Sequence, residues 1–248
     1  MKKTIKTLLV ILVLICLTAA AAFAVLQKHS SNAKKAEEAE AERIEQEAAE
    51  EERQAQAIAA KIDEEKSQWY LLLVNEWNAM PDDFSIETAV AEDGYEVDAR
   101  VKDALEEMLS DCRAAGYDPR IISSFRTREF QQYLYDRTAN KADTAIPGRS
   151  EHECGLAADI VDADSLGWGD PLIDEQEDMP AQKWLMEHCQ DYGFILRYPK
   201  GMQEKTGIIY EPWHYRYVGK EHATIIMENG ICLEEYLEDM ASYYHPEV

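Results

Sequence analysis

The pattern of hydrophobic and polar positions changes character three times along the chain. Lys2, Lys3 and Lys6 precede an uncharged run from Thr7 to Gln27, whose centre reads LLVILVLICL. The run has 21 residues, and about 20 apolar residues cross a bilayer as a helix. Its basic flank favours an N-terminus kept in the cytoplasm with the rest of the chain exported. Two readings follow for residues 1–30. Ala22-Phe23-Ala24 resembles a signal-peptidase site. The length of the run, beyond that of an ordinary signal core, favours an uncleaved membrane anchor over residues 7–27.

Residues 31–66 contain no Gly or Pro and are dominated by Ala, Glu, Lys, Arg and Gln. Such residues form helices readily. A faint stripe of Ala41, Ile44, Ala48, Ala55, Ile58 and Ile62 is interrupted by Glu51. An alanine-rich seam buries little area, so a solvated spacer helix is expected rather than a coiled coil. The chain is expected to act as a monomer. At 1.5 Å rise per residue the stalk reaches roughly 50 Å.

The pattern turns mixed at Trp69-Tyr70-Leu71-Leu72-Leu73-Val74, and a globular domain over 67–248 is expected. Val101, Leu105, Met108, Leu109 and Cys112 share one face of a helix over 98–115, closed by Gly116. Strand patterns cover 120–125, 155–161, 194–198 and 213–218. Helices are predicted over 127–138, 180–192 and 233–243. The mixture lacks regular strand–helix–strand units, so the predicted class is α+β with an antiparallel sheet.

Charge narrows the partners. The chain carries 49 acidic and 25 basic residues, a net of −24. Nucleic acid is excluded as the main partner, because phosphate binding needs Lys and Arg to release counterions. Hydrophobic residues make up 46%, enough for a packed core. Four cysteines, Cys112, Cys154, Cys189 and Cys232, lie in the globular part. Export permits disulfides, but spacing selects no pairing. No closely spaced cysteine pair supports a cysteine-ligated zinc.

Three segments carry candidate chemistry. In SEHECGLAAD, His152 and Asp159 join with the distant His214 to offer two imidazole nitrogens and one carboxylate oxygen. Three such ligands leave a tetrahedral zinc ion one open position, the pattern of catalytic zinc. Asp159 stands in an apolar run, where a carboxylate must be paired, hydrogen-bonded or metal-bound. A capped turn with a hydrogen-bonded histidine accounts for the spacing equally well. In EPWHYRYVG, Glu211 precedes His214 by three residues, and ideal strand geometry would put them on opposite faces. Pro212 points to a loop or bulge that returns Glu211 to the same side, as a candidate general base. In SSFRT, Arg126 offers paired charge-assisted hydrogen bonds to a carboxylate or an oxyanion. Trp213, Tyr215 and Tyr217 suit core or pocket wall.

Together, SEHECGLAAD, EPWHYRYVG and SSFRTREFQQYL resemble the VanY-type D-alanyl-D-alanine carboxypeptidase family of zinc peptidases. The family pattern S-x-H-x-x-G-x-A-x-D, E-x-W-H and an upstream aromatic-Arg-Ser/Thr is filled at every fixed position. LLVNEWNAMPDDF and YGFILRYP extend the resemblance over roughly residues 69–220. It implies a small central antiparallel sheet flanked by helices, of the DD-peptidase/Hedgehog-like kind. It implies zinc held by His152, Asp159 and His214, Glu211 as base and acid, and Arg126 at the developing oxyanion. Ser150, Gln131, Gln132 and Trp213 become candidate substrate contacts. The implied substrate is a peptidoglycan stem peptide losing its terminal D-Ala. An L,D-carboxypeptidase, a dipeptidase and a non-catalytic zinc-stabilised wall-binding module are the alternatives. Cys154 departs from the more usual polar residue there.

Overall fold

The computed structural model describes residues 2–140 and 144–244, with side chains from residue 17 onward. Helix α1 (Lys2–Lys66) is continuous through the charged stretch. Arg43 pairs along its surface with Glu40 at 2.6 Å and Glu47 at 3.1 Å, the three- and four-residue spacing that supports solvated helices. Among the described residues no helix is long and apolar enough to cross a membrane. Residues 7–16 of the apolar run lie outside those whose side chains are described. The chain divides into two compact units, one up to Ile58 and the other from Ala59.

In the second unit the strands come first from short, strongly turned segments. β1 (Thr88–Val90) and β2 (Glu96–Asp98) form an antiparallel pair. Their turn places Asp93 at φ 57° and Gly94 at φ 81°, and Asp is among the few side chains that visit this region. Three-residue strands are too short to show a period, so the sequence pattern does not announce them. Helix α2 (Lys102–Ala114) buries Leu105, Met108, Leu109 and Cys112, the predicted face. The strand β3 (Pro119–Ser123) leads into α3 (Arg128–Arg137), capped by the Thr127 side chain on the Phe130 N–H.

The main sheet joins β3, β4 (Ala157–Asp162), β6 (Glu211–Tyr217) and β5 (Phe194–Tyr198) in that order, all antiparallel. The predicted α+β class with a small antiparallel sheet is what the chain adopts. Alternation assigns the faces. Ala158, Ile160, Phe194 and Tyr215 join Leu105, Met108 and Leu185 in one apolar cluster. That face packs α2 and α4 (Pro180–His188). Asp159, His214, Arg216 and Ile195 emerge from the other face.

Two predicted helices differ in extent. α4 stops at His188 and tightens to a 3-10 turn over Cys189–Tyr192, closed by Gly193 at φ 87°. After α5 (Gln203–Thr206) and α6 (Lys220–Asn229), the predicted terminal helix is broken into α7 (Leu233–Glu238) and α8 (Met240–Tyr243). Asp239 leaves helical space at ψ 44°, and its carboxylate accepts the Ser242 hydroxyl at 2.7 Å. Ile62, Leu71, Ile195, Ile226, Leu233 and Tyr236 form a second cluster. Cys112, Cys154, Cys189 and Cys232 are all free and buried.

Candidate active site and metal centre

The site grows from one central strand. Asp159 of β4 pairs across the sheet with His214 of β6, so their side chains share a face. Its Oδ1 lies 3.1 Å from His214 Nδ1. Its Oδ2 lies 3.3 Å from His152 Nε2. His152 comes from the loop before β4, which turns sharply through Gly155 at φ +69°. A Cβ there would stand 2.9 Å from the Asp98 N–H nitrogen and closer still to Ile86, so the loop requires glycine. The His152 Nδ1–H donates to the Ser124 carbonyl at 2.7 Å, which leaves Nε2 with its lone pair toward Asp159. The two imidazoles meet edge to face at 4.8 Å.

His152, Asp159 and His214 each offer a ligand atom, and the three atoms lie within 4.8 Å of one another. All three residues are buried. Two imidazole nitrogens and one carboxylate oxygen, with the opposite nitrogen of His152 already held, form a donor set suited to zinc.

Glu211 is the first residue of β6, paired with Tyr198. The register between β5 and β6 shifts between Leu196 and Tyr198, so the ladder is irregular here and simple alternation does not govern the side on which Glu211 lies. Glu211 Oε2 stands 3.6 Å from His214 Nδ1. Arg126 comes from the turn between β3 and α3. Its Nη2 donates to Asp159 Oδ2 at 3.0 Å and to Ser123 Oγ at 2.6 Å, and its Nη1 donates to Gln131 Oε1 at 3.2 Å.

Burial and charge set the protonation. Burial opposes the charge of Asp159, but the two imidazoles outweigh it and hold the carboxyl well below its usual range. Burial and then Arg126 lower His152 to about 4, so it is a neutral ligand. Burial works against charge on His214 too, yet Asp159 and Glu151 outweigh it and raise it to about 9.

These groups line a cavity of about 460 Å³ that also includes Ser150, Tyr198 and Trp213. Ser150 and Trp213 thus lie beside the ligand trio. Gln131 is fully buried and committed, accepting from Arg126 and donating to the Ala145 carbonyl at 2.8 Å. It braces the guanidinium. Gln132 donates to Asp136 on the exposed side of α3 and does not line the cavity, because neighbouring helical residues point about 100° apart.

The profile of the VanY: D-alanyl-D-alanine carboxypeptidase family matches residues 94–220, a span holding Arg126, the ligand trio and Glu211. The chain belongs to this family. It is 37% identical over 194 residues to a D-alanyl-D-alanine carboxypeptidase of Enterococcus faecalis (strain ATCC 700802 / V583), covering 72% of this chain and 69% of that protein. Among solved structures, VanYB in complex with D-alanine-D-alanine superposes with a TM-score of 0.61 at 37% identity, covering 69% of this chain and 99% of that one. The LdcB LD-carboxypeptidase does so with a TM-score of 0.61 at 31% identity, covering 67% and 84%.

Beside the family motif, sequence reading passes over three participants. Ser123 and the Ser124 carbonyl act through position alone. Glu151 is fully buried under β5 and β6. Its Oε1 accepts from Arg197 Nε and Arg216 Nη1, each at 2.6 Å. Burial would raise its carboxyl, but Arg197 and Arg216 outweigh burial and hold it far below the usual range. Arg197 and Arg216 project from the same sheet face as His214, which strand alternation predicts; that they meet one carboxylate is a tertiary fact.

Proposed function

We propose that this chain is a zinc-dependent carboxypeptidase that removes the terminal D-Ala from peptidoglycan stem peptides. The observation that carries this reading is the convergence of His152, Asp159, His214, Glu211 and Arg126 on one cavity. Relatives that share the motifs support it. One is a D-alanyl-D-alanine carboxypeptidase, and one solved VanY is a complex with Zn(II).

His152 Nε2, Asp159 and His214 hold the metal in this reading. When bound, zinc supplies Lewis acidity and lowers the pKa of a coordinated water toward about 7. Glu211, beside His214, accepts the proton of the attacking water and returns it to the leaving amine. Arg126, already braced by Ser123 and Gln131, stabilises negative charge on the scissile carbonyl oxygen. Ser150 and Trp213 contact the peptide terminus from the cavity wall. The domain over 67–248 carries this chemistry as a monomer. Residues 7–27 anchor the chain in the membrane on the strength of their apolar length, and residues 31–66 link that segment to the domain.

The test is mass spectrometry of synthetic stem peptides ending in D-Ala-D-Ala or in one D-Ala, incubated with the full chain. One D-Ala is expected to leave the first peptide only. A chelator should abolish this release, and so should Glu211→Gln with zinc content intact. Cleavage confined to the peptide with one D-Ala would assign L,D-specificity instead. Release of an intact D-Ala-D-Ala would assign a dipeptidase. One bound zinc with no release from either peptide would leave a wall-binding module.

A further inference from the structure

Two buried polar atoms among the described residues lack a hydrogen-bond partner, and they face each other. They are Glu151 Oε2 and His214 Nε2, 3.5 Å apart. Both residues are buried. An unpaired buried polar atom is costly, so such a facing pair calls for a role. His214 presents its other nitrogen, Nδ1, to Asp159 at 3.1 Å. The two ring nitrogens therefore serve different partners.

Resting on the zinc reading above, we propose that Glu151 is a positioning residue that holds His214 in the Nε2–H tautomer, presenting the Nδ1 lone pair to the metal. A carboxylate only accepts hydrogen bonds, so each ring nitrogen facing one carries hydrogen in the metal-free protein; a bound metal would replace the hydrogen on Nδ1, beside Asp159, and leave the one on Nε2 facing Glu151. Oε1 of Glu151 is taken by Arg197 and Arg216, which leaves Oε2 for His214. Arg197 is held in turn by Glu234 at 2.6 and 2.8 Å. Arg216 is held by the carbonyls of Leu72 and Tyr70 at 2.7 and 3.1 Å. The carboxylate thus has one orientation and one free acceptor. His152 is fixed the other way round, with Nδ1–H on the Ser124 carbonyl and Nε2 toward Asp159. The two histidines of the site bind with opposite nitrogens.

The arginines also make the test sharp. In Glu151→Gln the amide oxygen must take the place that accepts from Arg197 and Arg216, because an NH2 group there would meet two donors. The amide NH2 then faces His214 Nε2 and donates to it. That forces hydrogen onto Nδ1 and removes the ligand. Zinc affinity of the full chain, measured by competition with a chromogenic chelator, is expected to fall about 10- to 100-fold in Glu151→Gln. In the zinc-loaded wild type, nitrogen-15 spectra of the histidine rings are expected to show His214 protonated at Nε2 and metal-bound at Nδ1, with His152 the reverse. Equal zinc affinity in a folded variant would overturn the proposal. So would a wild-type His214 bound through Nε2, a readout that stands even if the variant fails to fold. A wild type that takes up no zinc would instead sink the zinc reading itself.

Discussion

Arg126 spends its guanidinium on three neighbours, Asp159, Ser123 and Gln131. Its direction is therefore set before any substrate arrives, and a preset donor contributes to catalysis without reorganising. Arg126→Ala is expected to lower kcat by about 10²–10³-fold, the range for losing one oxyanion donor. Zinc content should remain stoichiometric, which separates this loss from damage to Asp159. Arg126→Lys keeps the charge but not the fork, so it should recover only part of the rate. An unchanged kcat in Arg126→Ala would leave the residue a brace for Asp159 alone.

The loop that delivers His152 shows how an element rests on one backbone conformation. Gly155 combines φ +69° with a space that closes to 2.9 Å against the backbone of Asp98. Gly116, after α2, also has positive φ, at +98°, but nothing lies within 4 Å of its would-be Cβ. Gly116→Ala should cost roughly 1–2 kcal/mol, the left-handed penalty of an ordinary side chain. Gly155→Ala meets that penalty and a clash with backbone, so denaturant titration of the metal-free protein should show a clearly larger loss. It should also weaken zinc binding by moving His152. Equal losses for the two glycines would mean that the loop relaxes freely. Much of this level is visible in sequence: the Gly, the alternation of β6 and the face of α2 all follow from period and residue type. The split of α7 from α8 and the brief β1–β2 pair do not, because Asp239 follows a helical pattern and three-residue strands have no period to read.

Across the second unit, a buried ionic network joins Glu151, Arg197, Arg216 and Glu234 under the sheet. Burial disfavours charge on Glu234, but Arg197 outweighs it and lowers its pKa from 4.5. The unfolded chain then takes up that proton at higher pH than the folded one. Its stabilisation is present above pH 4.5 and is lost as pH falls below it. Denaturation of the metal-free chain between pH 7 and 3 should show stability falling on the acid side. The fall should be shallower in Glu234→Gln, where this group no longer titrates. Superimposable slopes would remove Glu234 from the acid response.

Sequence alone determined the candidate donors and their order, because ligand chemistry restricts which side chains can hold a metal and the motifs keep them at short, readable spacing. Hydrophobic period likewise determined the elements that carry them. Only the tertiary structure decided that Glu211 lies on the side of His214, since the ladder against β5 is irregular there. Only it decided that Gln131 braces Arg126 and Gln132 faces away. The same holds for Glu151, whose partners stand 46 and 65 residues along the chain. Hydrogen bonds and ion pairs act over a few ångströms of space, and separation along the chain carries no measure of that distance until the sheet has brought the strands together.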